Sequence, residues 1–87
     1  MISLTGTTVT GPTTLLLSFS DGSSGHWSAD TIIARDTVLT RPLRDPAYFG
    51  RAFVEGDGLA WPNGLEFSAM SLHRRIDEAG MLMRQAA

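Results

Sequence analysis

Apolar and polar positions alternate through the first two thirds of the chain, with turn formers breaking the alternation about every eight to twelve residues; this predicts a meander of short antiparallel strands. The first spans Ile2 to Thr10, is rich in Thr and Val, and closes at Gly11-Pro12 because proline cannot donate to a sheet ladder. The second, Thr13 to Ser20, sets Leu15, Leu17 and Phe19 on one face, as expected of a central strand. Asp21-Gly22 suits the positive φ angles of a tight hairpin turn, and the third strand returns through Ser23 to Ser28 with Trp27 as its large residue.

The rhythm breaks between residues 28 and 50. Ser28 is expected to cap a short helix with Asp30 in its first turn and Ile32 and Ile33 on its buried side. Pro42 interrupts Thr40 to Leu43. Asp45-Pro46 is an N-cap followed by proline at the first helical position, and Gly50 is expected to end that turn in a left-handed conformation. The sheet resumes over Arg51 to Glu55, turns at Gly56-Asp57-Gly58 and runs back through Leu59 to Trp61. It turns again at Pro62-Asn63-Gly64, a type I turn with glycine at the bulge position, before Leu65-Glu66-Phe67.

From Ser68 the period becomes helical, with Leu72, Ile76, Ala79 and Met83 on one face and Gly80 as a weak point. The expectation is one α+β domain over residues 1–87. It comprises an antiparallel meander of five to six short strands over 1–67, two short helical turns in the excursion at 28–50, and a C-terminal helix over 68–87.

Composition narrows the function. With 43% hydrophobic and 18% charged residues the 87-residue chain is too apolar to be disordered. It has no cysteine, so disulfides and thiolate chemistry are excluded. No basic leader and no run of ~20 apolar residues is present, which sets the expectation of a cytoplasmic protein with no membrane span. All seven basic residues are arginine, and the net charge of -2 gives no overall nucleic-acid footprint.

Four motifs in order carry a resemblance: Phe19-Ser20-Asp21-Gly22; Trp27 to Ile33 with Asp30 as the acid; Leu43-Arg44-Asp45-Pro46 with Phe49; and Trp61-Pro62-Asn63-Gly64-Leu65-Glu66. The chain thereby resembles the small bacterial proteins catalogued as domain of unknown function 2442, over about residues 3 to 68. The resemblance implies a compact α+β unit, fused to a helix-turn-helix in some members and encoded beside a second small protein in others, as toxin and antitoxin pairs are. This chain lacks the helix-turn-helix, and its arginine-bearing carboxy-terminal helix lies outside the matched part.

No catalytic, cofactor-binding or metal-ligating set is assigned. His26 and His73 lack the companions that zinc requires, and Ser24-Gly25-His26 lacks the strand-turn-helix setting that exposes a nucleophile. Gly56-Asp57-Gly58 has the wrong spacing for a phosphate loop. The candidate partner-binding residues are Trp27 with His26; Arg35, Arg41, Arg44 and Arg51 with Tyr48 interleaved; and Arg74 and Arg75 on the last helix. Core packing is the favoured reading for both tryptophans, Trp61 above all, and Trp27 is the better placed of the two for an interface. Asp36, Asp45 and Glu55 stand near enough in sequence to neutralise the excursion arginines.

The function expected is a non-catalytic binding module that regulates or inhibits a larger protein partner, antitoxin-like or of the kind phages and mobile elements direct against host defences, such as anti-CRISPR-type proteins. The alternative is a nucleic-acid-binding accessory or autoregulatory protein using the arginines. A homodimer is compatible with the apolar edge strand and with Met81, Leu82 and Met83.

Overall fold

A computed structural model describes residues 1–84. Seven strands follow one another as β1 (Leu4–Val9), β2 (Thr14–Phe19), β3 (Ser23–Ser28), β4 (Phe53–Glu55), β5 (Gly58–Ala60), β6 (Glu66–Phe67) and β7 (Met83–Arg84). The helices are α1 (Asp30–Ile33), α2 (Pro46–Phe49) and α3 (Ala69–Glu78), with a 3-10 turn over Arg41–Arg44. The fold is α+β and every strand pairing is antiparallel.

The strands form two sheets, ordered β1-β2-β3-β7 and β4-β5-β6. Period-two alternation buries Leu15, Leu17 and Phe19 on one face of β2, and the register sets Trp27 opposite Leu15 and Gly25 opposite Leu17 on that same face. The excursion separates the sheets in sequence, and the Leu4 amide bridges them by donating to the Asp57 carbonyl at 2.8 Å. Trp61 lies between the two halves at 1% exposure, with Phe49, Trp27 and Phe67 at ring separations of 5.8, 6.2 and 6.3 Å. Its indole Nε1 donates to the Phe49 carbonyl at 3.0 Å, so its one polar atom is satisfied inside the core.

Local turn chemistry is mostly as expected. Gly64 takes φ 92, the Trp61 amide donates to the Leu65 carbonyl at 2.9 Å, and the Pro-Asn-Gly turn sets the β5–β6 register. Asn63 ties that turn to the excursion: its amide donates to the Tyr48 hydroxyl and its side chain to the Leu39 carbonyl, each at 3.1 Å. Asp45 caps α2 by accepting from the Ala47 amide at 3.0 Å.

Four expectations are corrected. At the first hairpin only Gly22 has positive φ; Asp21 contributes its carboxylate, which accepts from the Ser23 amide at 2.9 Å. Gly50 is right-handed, with φ -67, because the chain continues through another turn toward β4. The N-cap of α1 is Ala29; the Ser28 hydroxyl sits one residue earlier and accepts from the Asp30 amide at 3.2 Å.

The fourth concerns the last helix, which ends at Glu78. Gly80 at φ 72 donates to the Asp77 carbonyl and Met81 donates to the Ile76 carbonyl, a Schellman closure that satisfies the last carbonyls and turns the chain away. Ser68 caps the start, and Ala69, Leu72 and Ile76 form the buried face. Full burial of Leu72 and Ile76 stabilises by roughly 1.5–3 kcal/mol each. Met83, expected on that face, is half exposed in β7 beside Ser24; residues 85–87, which the expected helix included, lie outside the described residues.

Candidate functional site

β7 covers only the first two residues of β3, pairing Arg84 with Ser23 and Met83 with Ser24. The rest of that edge is open among the described residues. The Ala29 amide donates to the Thr13 carbonyl, and antiparallel alternation from that pair turns the Trp27 and Gly25 backbones toward β2. The amides and carbonyls of His26 and Ser28 therefore face outward, with no backbone partner among the described residues.

A groove of about 460 Å³ runs along this edge, between α1 and the C-terminal half of α3. Ile32, Ile76 and Met81 line its apolar side with an edge of Trp27, while His26 and Arg75 stand on its rim. Side chains from both faces of the sheet reach it, so the strand's edge is its floor. The approach of α3 depends on Gly25: a Cβ there would stand 2.5 Å from Ile76 Cγ2 and 3.1 Å from the Met81 carbonyl oxygen. His26 is exposed, whereas Trp27 is 7% exposed and packs on Trp61 and Phe67. Trp27 is thus a core residue that also lines the groove, not an exposed anchor. The three candidates His26, Trp27 and Arg75, far apart in sequence, meet here.

The excursion arginines do not make a free basic patch. Asp36, left-handed at φ 54, places Oδ1 3.1 Å from Arg41 Nε and 2.8 Å from Arg44 Nη2. Both pairs are solvent-exposed and contribute little stability, about 0–1 kcal/mol each, but they halve the charge on offer. The Arg51 guanidinium lies over the Tyr48 ring at 5.9 Å, and Arg74 approaches Glu78 at 3.9 Å. Arg35 is exposed at the end of α1 and lies outside the groove lining.

Sequence reasoning missed a second cluster, centred on Asp21. Its Oδ2 lies 3.1 Å from His73 Nε2 and 3.4 Å from Arg84 Nη1, while its Oδ1 accepts from both the hydroxyl and the amide of Ser23. His73 is half-buried, edge-on to Phe19 at 5.1 Å. The separations of 52 and 63 residues leave no local trace of these contacts.

The Ser23 hydroxyl, then its amide, hold the Asp21 carboxyl down at about 2, with His73 adding to them against partial desolvation. The native carboxylate binds its proton more weakly than in the unfolded chain, so stability rises with pH between about 2 and 3.8. In urea denaturation the advantage of the wild type over Asp21→Asn is expected in full at pH 5 and to shrink progressively between pH 4 and 2. A pH-independent difference between the two proteins would contradict this.

Serine, aspartate and histidine meet here in an order unsuited to nucleophilic catalysis. The serine hydroxyl donates to the central carboxylate, and the histidine sits on the carboxylate's other oxygen, so the imidazole does not face the serine and the only base that does is a carboxylate held at low pKa. Among the described residues no three His, Asp or Glu side chains converge as a metal site would require, and no helix is long and apolar enough to cross a membrane. No family model, curated protein or solved structure matches the chain, so what it does must be argued from the groove and the cluster themselves.

Proposed function

We propose that this chain is a non-catalytic, cytoplasmic binding module that holds and regulates a larger protein partner, acting as an antitoxin does or as a phage or mobile-element inhibitor of host defence. The observation that carries the reading is the groove along the open half of β3, where a strand edge unpaired among the described residues, an apolar wall and Arg75 occur together. Exposed strand edges are normally blunted by charge, bulges or cover, and one left open beside an apolar groove is suited to a partner. The four-motif resemblance to domain of unknown function 2442 points the same way, toward action by binding.

The nucleic-acid alternative has weaker support, because Arg41 and Arg44 share Asp36, Arg74 lies against Glu78, and the groove is mainly apolar. Phosphate binding wants several uncompensated cations on one face.

A photocrosslinking side chain in place of His26, with the same group in place of Glu55 on β4 as control, tests the proposal in the native host. The expected result is one protein crosslinked from position 26 and not from 55. Once purified, that protein should bind the chain with an affinity that Arg75→Glu lowers at least tenfold. Equal labelling from the two positions, or crosslinks chiefly to nucleic acid, would overturn it.

A further inference from the structure

We infer that the partner enters the groove as an extended acidic segment that pairs antiparallel with β3, continuing along the edge that β7 begins. This rests on the protein-binding reading above and adds to it the mode of binding and the chemistry of the segment.

Three observations converge. The outward amides and carbonyls of His26 and Ser28 form a two-residue register that an added strand can satisfy with four main-chain hydrogen bonds. β7 already uses this edge in the same way: Met83 and Arg84 pair antiparallel with Ser24 and Ser23, so the geometry for strand addition exists one residue further along. The walls then specify side chains. Residues of the added strand that point toward α3 meet Ile32, Ile76 and Arg75, which call for an apolar side chain and a carboxylate. Those pointing the other way meet His26, Ser28 and Thr14, which suit small polar side chains.

The charge argument is specific to Arg75. Arg41 and Arg44 are engaged by Asp36, Arg74 by Glu78 and Arg84 by Asp21. Arg35 and Arg51 also lack a carboxylate within ion-pair distance among the described residues but lie outside the groove lining, which leaves Arg75 as the arginine that lines the groove without such a partner. A second copy of this chain is a poorer occupant. Two-fold pairing of β3 with itself would offer Arg75 no carboxylate from the added strand, because Ser23–Ser28 contains none. Nucleic acid fits less well too, because Trp27 turns its ring to Trp61 and Phe67 and offers no free face for base stacking.

The test uses the full chain, labelled for amide spectroscopy, and a capped hexapeptide probe, Thr-Val-Thr-Glu-Thr-Val. The expected result is shifted resonances at His26 and Ser28 and at least tenfold slower exchange of both amides. The lysine-for-glutamate peptide should bind at least tenfold more weakly, and Arg75→Glu should reverse that preference. His26→Pro removes one outward donor while leaving the pairing with β2 untouched, and it should weaken the probe at least tenfold. Methylating the peptide backbone at its edge-facing amides should do the same without altering the protein, which covers the case of a variant that fails to fold.

Unshifted His26 and Ser28 amides at millimolar peptide would overturn the inference. So would their protection in the free protein together with a dimer by light scattering, or the same shifts produced by a DNA oligonucleotide in place of the peptide. Should the crosslinking test succeed and these amides stay unprotected in that reconstituted complex, the module would bind by another mode, and only strand addition would fall.

Discussion

Trp61→Ala is expected to lower stability by about 3–5 kcal/mol, the range for emptying a large aromatic site in a well-packed core. A chain of this length holds a total of roughly 4–13 kcal/mol, so the variant should be largely unfolded at 37 °C or have a midpoint shifted by tens of degrees. The reason is its position between the two sheets: Trp61 touches Phe49 of the excursion, Trp27 of the first sheet and Phe67 of the second. Its loss also orphans the Phe49 carbonyl that accepts from Nε1, which adds about 1–3 kcal/mol if water cannot replace the bond. Trp61→Phe separates the two contributions, since it keeps most of the ring and loses the donor. Urea unfolding followed through the remaining Trp27 should place it between the wild type and the alanine variant. A stable Trp61→Ala protein with an unchanged urea midpoint would show that this ring does not join the sheets.

The second large effect is expected at Gly25. Gly25→Ala drives a methyl group to 2.5 Å from Ile76 Cγ2 and close to the Met81 carbonyl, and neither can yield easily. One belongs to a β-branched side chain stiff at χ1, and the other to backbone held by the Schellman closure. The cost is about 1–3 kcal/mol of overpacking, relieved only if α3 shifts outward. That shift would widen the groove, so partner affinity should fall together with the unfolding midpoint. Gly6→Ala is the control, because a Cβ there meets nothing within 4 Å, and its midpoint should move by less than about 0.5 kcal/mol. A Gly25→Ala protein as stable as Gly6→Ala, with unchanged partner binding, would show that the close approach of α3 is incidental.

Much of the fold was legible because its signals are local. Gly22, Gly56 and Gly64 supply the positive φ that their hairpins need, Asp45-Pro46 starts α2, and Ser68 starts α3, each within four residues of the structure it dictates. The alternation in β2 identified its buried face without error. The misreadings share a cause as well. The apolar period continued through Ala79 and Met83, but Gly80 could adopt a conformation that carries Met83 into a sheet, and only the competing pairing with Ser24 decided that it would.

The candidate site was less legible, since His26 and Arg75 are 49 positions apart and Asp21 and Arg84 are 63. Arginine counts could not tell which cations were engaged; that followed from the left-handed turn at Asp36, which aims one carboxylate at two guanidinium groups.

By itself the order of residues determined the α+β class, the hairpins, the caps and the placement of Trp61 in the core, because propensity, φ restrictions and period-two burial act over a few neighbours. Tertiary structure alone decided that the chain splits into two sheets, that His73 joins Asp21, and that, among the described residues, half of one strand edge stays open beside Arg75. Those outcomes depend on which distant surfaces meet when the core closes, and burial, unlike a turn, is a property of the whole chain.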